Sequence, residues 1–148
     1  MSRPRPVYER KKNVRTWLLE TGEIKVEAYF EDAVHFILLQ MKVERLSGQI
    51  LEIEPRFLRC PYPDLCPLSL KPYEALKGME IKKGFHSRVS ERIPKEQGCV
   101  HIQSLIREAA DAVVQSSFYL TAHERDGEER RKFLKAQLKD ICVAYHQE

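Results

Sequence analysis

The chain has 148 residues, of which 43% are hydrophobic and 32% charged, and its formal net charge is +3. This is enough apolar material for one packed core and too much for an intrinsically disordered chain. No apolar run approaches the roughly 20 residues that cross a bilayer, so we expect no membrane span.

The positive charge is concentrated at one end of the chain. Residues 1–15 carry a net charge of +5, so the remaining residues carry −2. A nucleic-acid-binding domain normally has a basic stripe on its folded body, so we do not expect nucleic acid as a partner. We interpret residues 1–13 as a basic flexible tail. Because no apolar signal segment follows it, we expect a cytoplasmic protein with reduced thiols.

The first half of the chain has the pattern of β-strands. Apolar and polar residues alternate through residues 24–30, which is typical of a half-buried strand. Further strand candidates are residues 14–19, 34–43 and 50–53, and turn signals at Gly22 and Gly48 separate them. Four strands with such short connections predict a mainly antiparallel meander.

Residues 55–72 hold five prolines and two cysteines. Because proline restricts its own φ and the residue before it, we expect this segment to be an ordered loop. Residues 72–77 and 83–93 are candidates for two short helices.

The last third of the chain has a helical pattern. No proline or glycine interrupts residues 99–126, where apolar positions recur at helical spacing. Residues 128–146 are predicted to form an extra C-terminal helix with Leu134, Leu138, Ile141 and Tyr145 as one apolar stripe, and Cys142 is expected to pack in the core beside Ile141. Strands followed by helices predict an α+β fold, with the sheet packed against the helices and residues 14–148 as one domain.

The segment Leu76–Phe85, followed by Gly98-Cys99-Val100-His101, resembles the bacterial DUF2889 family of unknown function. Cys66 in its proline-rich loop and His35 at the start of the third strand fit the same pattern. The resemblance covers roughly residues 14–118. The family usually has threonine where this chain has Val100. The resemblance implies positions of interest but no established activity.

The Gly-Cys-x-His motif is the strongest local signal for chemistry. Gly98 permits a tight approach to the helix, which would place Cys99 at the helix N-terminus, where backbone N–H groups stabilise a thiolate. Within a helix, Cys99 and His101 would point about 200° apart. If both residues lie before the start of the helix, the two side chains can converge on one ligand.

Two further residues are candidates for the same site. Cys66 is held by a rigid loop, and His35 would lie beneath that loop on its strand. Five residues separate Cys60 from Cys66, a poor match to the two to four intervening residues of zinc knuckles, so we interpret Cys60 as structural or exposed. We expect Cys66, Cys99 and His101 to converge, with His35 as a fourth group.

Three functions remain open on these observations. The first is a metal- or cofactor-binding accessory protein with zinc or iron on Cys66, Cys99, His101 and His35. The second is a thiol-dependent enzyme with Cys99 as the nucleophile and His101 or His35 as the base. The third is a non-catalytic interaction protein that forms a homo-oligomer or binds a protein partner. No P-loop, Gly-x-Ser-x-Gly or His-Glu-x-x-His motif supports a common nucleotide-dependent or hydrolytic activity.

Overall fold

A computed structural model describes residues 3–146, which form two compact units, one up to Val114 and the other from Gln115 on. The helices and strands, in chain order, are β1 (Lys11–Leu18), β2 (Glu23–Glu31), β3 (Phe36–Glu44), β4 (Ile50–Arg59), α1 (Phe85–Arg92), α2 (Val100–His123) and α3 (Gly127–Leu138). None of the helices within residues 3–146 is both long enough and apolar enough to cross a membrane.

The strands of the first unit form one four-stranded sheet in the order β1-β2-β3-β4, with every neighbouring pair antiparallel. In the first hairpin Leu18 pairs with Ile24, and Gly22 adopts a φ of 87° in the turn between them. Helices follow the strands, which confirms the predicted α+β fold and the antiparallel meander.

The core lies against one face of this sheet. Side chains of β2 and β3 alternate between buried and half-buried along both strands, as the period-two pattern predicts. The first half of α2 faces the buried side, where the ring of His101 lies 4.9 Å from that of Phe30 and Lys12 donates to the Ser104 hydroxyl. The buried residues of β2, of β3 and of α2 as far as Val113 are Ile24, Val26, Ala28, Phe30, Ile37, Leu39, Met41, Val43, Ile102, Leu105, Ile106, Ala109, Ala110 and Val113.

The expectation that residues 55–72 form a loop is wrong at its start. Strand β4 continues through Pro55 to Arg59, and Pro55 is aligned with Leu39 of β3. Strand β4 is an edge strand, on which alternate N–H groups point away from the sheet, so proline is tolerated there without loss of a ladder hydrogen bond. The rest of the segment contains two short 3₁₀ helices, Cys66–Ser69 and Lys71–Leu76.

The expected basic tail is shorter than residues 1–13. Strand β1 begins at Lys11, which pairs with Glu31 of β2. The residues before the strand also make defined contacts, since the Tyr8 hydroxyl donates to Asp32 and the Arg10 guanidinium lies 4.8 Å from the centre of the Phe30 ring. The sheet edge therefore orders part of the basic segment.

The second unit contains α3, whose Phe133 ring stacks on Phe118 at 5.5 Å. The predicted helix over residues 128–146 is wrong beyond Leu138, because Asp140 adopts a φ of 61°, which is incompatible with a right-handed helix. Ile141 is 69% exposed and Cys142 is also exposed, so the expected core packing of Cys142 is wrong as well.

Candidate functional site

The site begins with a turn between β2 and β3. Asp32 occupies its first position, and its Oδ1 accepts hydrogen bonds from the backbone N–H groups of Val34 (2.8 Å) and His35 (2.6 Å). The Asp32 N–H donates in turn to the His35 carbonyl at 3.0 Å. Aspartate commonly caps turns in this way, because its short side chain reaches the backbone two and three residues ahead. His35 therefore ends the turn, one residue before β3 begins.

The carboxylate of Asp32 also holds the His35 ring. His35 Nδ1 lies 3.0 Å from Oδ1 and 3.2 Å from Oδ2 of Asp32, and the Tyr8 hydroxyl donates to Oδ2 at 3.0 Å. Burial of Asp32 favours its neutral form, but the hydrogen bonds from His35, Val34 and Tyr8 outweigh burial and hold the pKa of Asp32 well below its usual range. An ionised carboxylate only accepts hydrogen bonds, so the proton of neutral His35 lies on Nδ1 and Nε2 keeps its lone pair.

His101, from the first turn of α2, lies against His35. The two ring centroids are 4.1 Å apart, and the Phe30 ring covers His101 from the sheet. Burial lowers the pKa of His101, and the neighbouring His35 lowers it further, while Asp32 partly opposes this effect. His101 is therefore neutral at pH 7 and can offer a ring nitrogen as a metal ligand or a base.

Cys99 directly precedes α2, as predicted. Its carbonyl accepts the first hydrogen bond of the helix, from the Gln103 N–H at 2.9 Å. Its Sγ lies 3.8 Å from Nδ1 of His101, so the two side chains converge where the helix begins. A sulfur and a nitrogen on one tetrahedral zinc ion are about 3.5 Å apart, given bonds of about 2.3 and 2.0 Å. The observed separation therefore fits two ligands of one metal ion.

The backbone of Cys99 is fixed by the buried Tyr73. The Tyr73 hydroxyl accepts from the Cys99 N–H and donates to the Cys99 carbonyl, both at 3.0 Å. Burial raises the pKa of Tyr73 to about 12, so the hydroxyl stays protonated across the physiological range. A side chain in the core thus sets the position of the helix N-terminus and of the thiol.

Gly98 is required by close packing. A Cβ at this position would lie 2.8 Å from Cγ2 of Ile93 and 2.9 Å from the Tyr73 hydroxyl. We expect Gly98→Ala to lower the free energy of unfolding by about 1–3 kcal/mol, as overpacked cores do, measured by urea denaturation. The substitution should cost less in a Tyr73→Phe background, which removes one of the two clashes. An equal cost in both backgrounds would refute this explanation.

Cys66 lies on the same side of the molecule as Cys99. Cys66, Cys99 and His35 line one cavity of about 710 Å³. The Cys66 carbonyl accepts from the Ser69 hydroxyl at 2.7 Å, and its N–H donates to the Tyr62 carbonyl at 2.8 Å, so its loop is internally bonded.

One group of three residues has metal-ligand geometry within residues 3–146. Asp32, His35 and His101 each offer an atom such that all three atoms lie within 4.8 Å of one another. Two members, His35 and His101, are among the four predicted ligands, and the other predicted ligands, Cys66 and Cys99, lie outside this group. Asp32 was missed by the sequence reasoning. The sequence feature that could have indicated Asp32 is the Asp-x-x-His spacing in a turn between two strands, because this spacing brings the carboxylate next to the histidine three residues later.

The low pKa of Asp32 predicts a stability change in acid. The group binds protons more weakly in the folded than in the unfolded state, so its contribution is present above about pH 4 and is lost as the pH falls below that value. We expect Asp32→Asn to be less stable than wild type at pH 7 and to lose less stability between pH 5 and pH 2, measured by thermal unfolding. Asp111→Asn, at an exposed position, is the control and should follow wild type. An Asp32→Asn profile parallel to wild type would contradict the assignment.

Comparison with known proteins places this geometry in a family without assigned chemistry. No curated protein and no solved structure matches the chain. The family described as "Protein of unknown function (DUF2889)" matches residues 8–115, which include the whole sheet, the Asp32–His35 turn and the Cys99–His101 motif. The match spans well over half of the 148 residues, so the chain belongs to the DUF2889 family.

Proposed function

We propose that this protein binds a transition-metal ion, zinc or iron(II), through His35, His101 and Cys99, with Cys66 as the fourth ligand. The observation that carries the proposal is the convergence of two imidazoles, 4.1 Å apart, with a thiol 3.8 Å from the second ring. Two nitrogens with one or two sulfurs are a donor set that zinc prefers, and iron(II) also accepts it.

Asp32 is better suited to orient His35 than to bind the metal. Its Oδ1 already accepts two backbone hydrogen bonds and its Oδ2 accepts that of Tyr8, so the carboxylate has few lone pairs left. Its contact with Nδ1 leaves Nε2 of His35 available to the ion. A carboxylate in this position is the usual outer partner of a metal-binding histidine, because it sets the tautomer and raises the basicity of the ring.

The contacts that hold the proposed ligands favour a metal-binding role, because they belong to the fold itself. Tyr73 holds the backbone of Cys99, Asp32 holds the His35 ring and Phe30 packs on the His101 ring, so both imidazoles and the backbone that carries the thiol are positioned before any ion arrives. Preorganised donors lose little conformational entropy on binding. An accessory role in holding a metal therefore follows more directly from the geometry than a reaction does.

A cobalt(II) titration of the full chain tests the proposal. We expect wild-type protein to bind cobalt with a thiolate-to-metal charge-transfer band in the near ultraviolet. Cys99→Ser should weaken this band and leave only the contribution of Cys66, whereas Cys142→Ser, at an exposed position in the other unit, should keep the full band. A cobalt complex without a thiolate band in wild type, or no binding at all, would refute the ligand set.

A second candidate function is a thiol-dependent enzyme with Cys99 as nucleophile. The observation in its favour is the position of Cys99 at the N-terminus of α2 beside neutral His101, which can accept its proton. Alkylation by iodoacetamide separates the two functions. The enzyme hypothesis requires metal-free protein whose Cys99 reacts much faster than exposed Cys142, and it fails if the two rates are similar.

A further inference from the structure

The turn that carries Asp32 and His35 is also bonded by a residue from the end of β4. Nη2 of Arg59 donates to the Asp32 carbonyl at 2.7 Å and, more weakly, to the His35 carbonyl at 3.4 Å. These contacts reach back 27 and 24 positions along the chain. Since Asp32 begins the turn and His35 ends it, one guanidinium holds both of its ends.

A β-bulge directs Arg59 towards this turn. In the pairing of β3 with β4, Phe36 is aligned with Arg59, but the next residue of β3, Ile37, is aligned with Phe57. Leu58 is therefore an extra residue in β4. Because side chains alternate along a regular strand, Leu58 would otherwise lie opposite Phe36, and the bulge brings Arg59 to that position instead. Bulges often redirect a side chain beside a functional site.

Two neighbours orient the Arg59 guanidinium. Its central carbon lies 6.0 Å from the centre of the Phe36 ring, and Nη2 lies 3.5 Å from Oε1 of Glu31. The Arg59 and Glu31 side chains are both about half exposed, and ion pairs of this kind stabilise proteins little. The bonds to the backbone carbonyls have a charged donor and are the stronger contribution. The role of Arg59 therefore lies in its contacts with the turn.

We propose that Arg59 is a positioning residue for His35. This role rests on the proposed function, in which His35 is a metal ligand. The Asp32 carboxylate contacts both the backbone N–H groups of the turn and Nδ1 of the His35 ring, so the direction of the ring follows the conformation of the turn. Arg59 fixes that conformation from the carbonyl side. The contact of Asp32 with Nδ1 is thereby kept, which leaves Nε2 available to the ion.

Arg59 also joins two segments that carry proposed ligands. It directly precedes the loop that carries Cys66, and its bonds to the turn connect the start of this loop to His35. Cys66 and His35 line the same cavity. Loss of the Arg59 side chain would therefore loosen the side of the site formed by these two residues, while the backbone of Cys99 remains held by Tyr73.

Zinc affinity of the full chain, measured by competition with a chromophoric chelator, is the first test. We expect Arg59→Ala to bind zinc about 10-fold more weakly, at the lower end of the effect of losing an outer partner of a ligand. Arg56→Ala is the matched control, because Arg56 lies on the same strand, is 50% exposed and bonds Gln40 and Glu54 instead of the turn. Glu31→Gln removes the ion pair with Arg59 but keeps the carbonyl contacts. Both of these variants should match wild type.

Nitrogen NMR of the metal-free protein, at a pH where the histidines are neutral, gives a readout that lower stability alone would not change. In wild type the His35 proton lies on Nδ1, so the two ring nitrogens should have well-separated ¹⁵N shifts. In Arg59→Ala we expect the two tautomers to mix, which moves these shifts towards each other. The shifts of His86, which lies on α1 away from the turn, should stay as in wild type.

The two measurements separate the role of Arg59 from metal binding itself. If wild type binds no zinc, the proposed function fails, and the NMR comparison alone decides whether Arg59 positions His35. Unchanged His35 shifts in Arg59→Ala would overturn the proposal. A zinc affinity of Arg59→Ala equal to that of a zinc-binding wild type would also overturn it, as would an equal loss in Arg56→Ala or Glu31→Gln.

Discussion

Replacement of His101 by alanine is expected to weaken zinc binding by more than about 100-fold. Loss of an outer partner of a metal ligand typically costs 10–100-fold in affinity, and loss of a ligand should cost more. His101 contacts two of the other proposed ligands. Its ring lies 4.1 Å from that of His35, and its Nδ1 lies 3.8 Å from the Cys99 sulfur. Competition with a chromophoric zinc chelator measures the affinity of the full chain.

His86→Ala is the matched control for this substitution. His86 also lies near an aspartate, with Nε2 3.4 Å from Oδ1 of Asp111, but its side chain is 38% exposed and that of Asp111 is 70% exposed. The control should leave zinc affinity unchanged. Equal losses of zinc affinity in the two variants would show that zinc binds histidines outside the proposed site as well. An unchanged zinc affinity in His101→Ala would show that His101 is not a ligand.

Leu105→Ala is expected to lower the free energy of unfolding by about 2–5 kcal/mol. Leu105 is fully buried on α2, and truncation of a buried leucine removes apolar contacts and leaves a cavity. Such a loss is a large part of the stability of an ordinary domain. Urea denaturation should show a lower midpoint with an unchanged slope, because the same surface is exposed on unfolding.

Val100→Ala on the same helix provides the comparison. Val100 is 74% exposed, so its truncation should change the free energy of unfolding by no more than about 0.5 kcal/mol. If Leu105→Ala were as mild as this control, α2 would not pack in the core as described.

The sheet could be predicted from local patterning, while its limits could not. Alternation of apolar and polar residues follows directly from burial of one face, and it located β2 and β3 to within a few residues. Continuation of β4 past Pro55 depends on β4 lying at the edge of the sheet, which is a property of the assembled fold. The end of α3 at Leu138 similarly depends on the left-handed backbone at Asp140, where the apolar spacing continues without a break.

The candidate site shows the same division between local and tertiary information. The position of Cys99 before α2 and its convergence with His101 follow from a glycine, a helix start and a two-residue spacing, all of which are local. The role of Tyr73 in fixing Cys99 spans 26 positions of the chain, so no local pattern indicates it. Asp32 was missed because aspartate is common in turns. Only its contact with His35, whose ring lies against that of His101, indicates a role in the site.

X-ray absorption at the zinc edge of the zinc-loaded full chain tests the proposed metal centre most directly. The proposal predicts imidazole nitrogens at about 2.0–2.1 Å together with sulfur at about 2.3 Å. Cys99→Ser should reduce the sulfur contribution without removing that of imidazole. A shell made of oxygen alone, or of sulfur without imidazole, would contradict the assignment of His35, His101 and Cys99 as ligands.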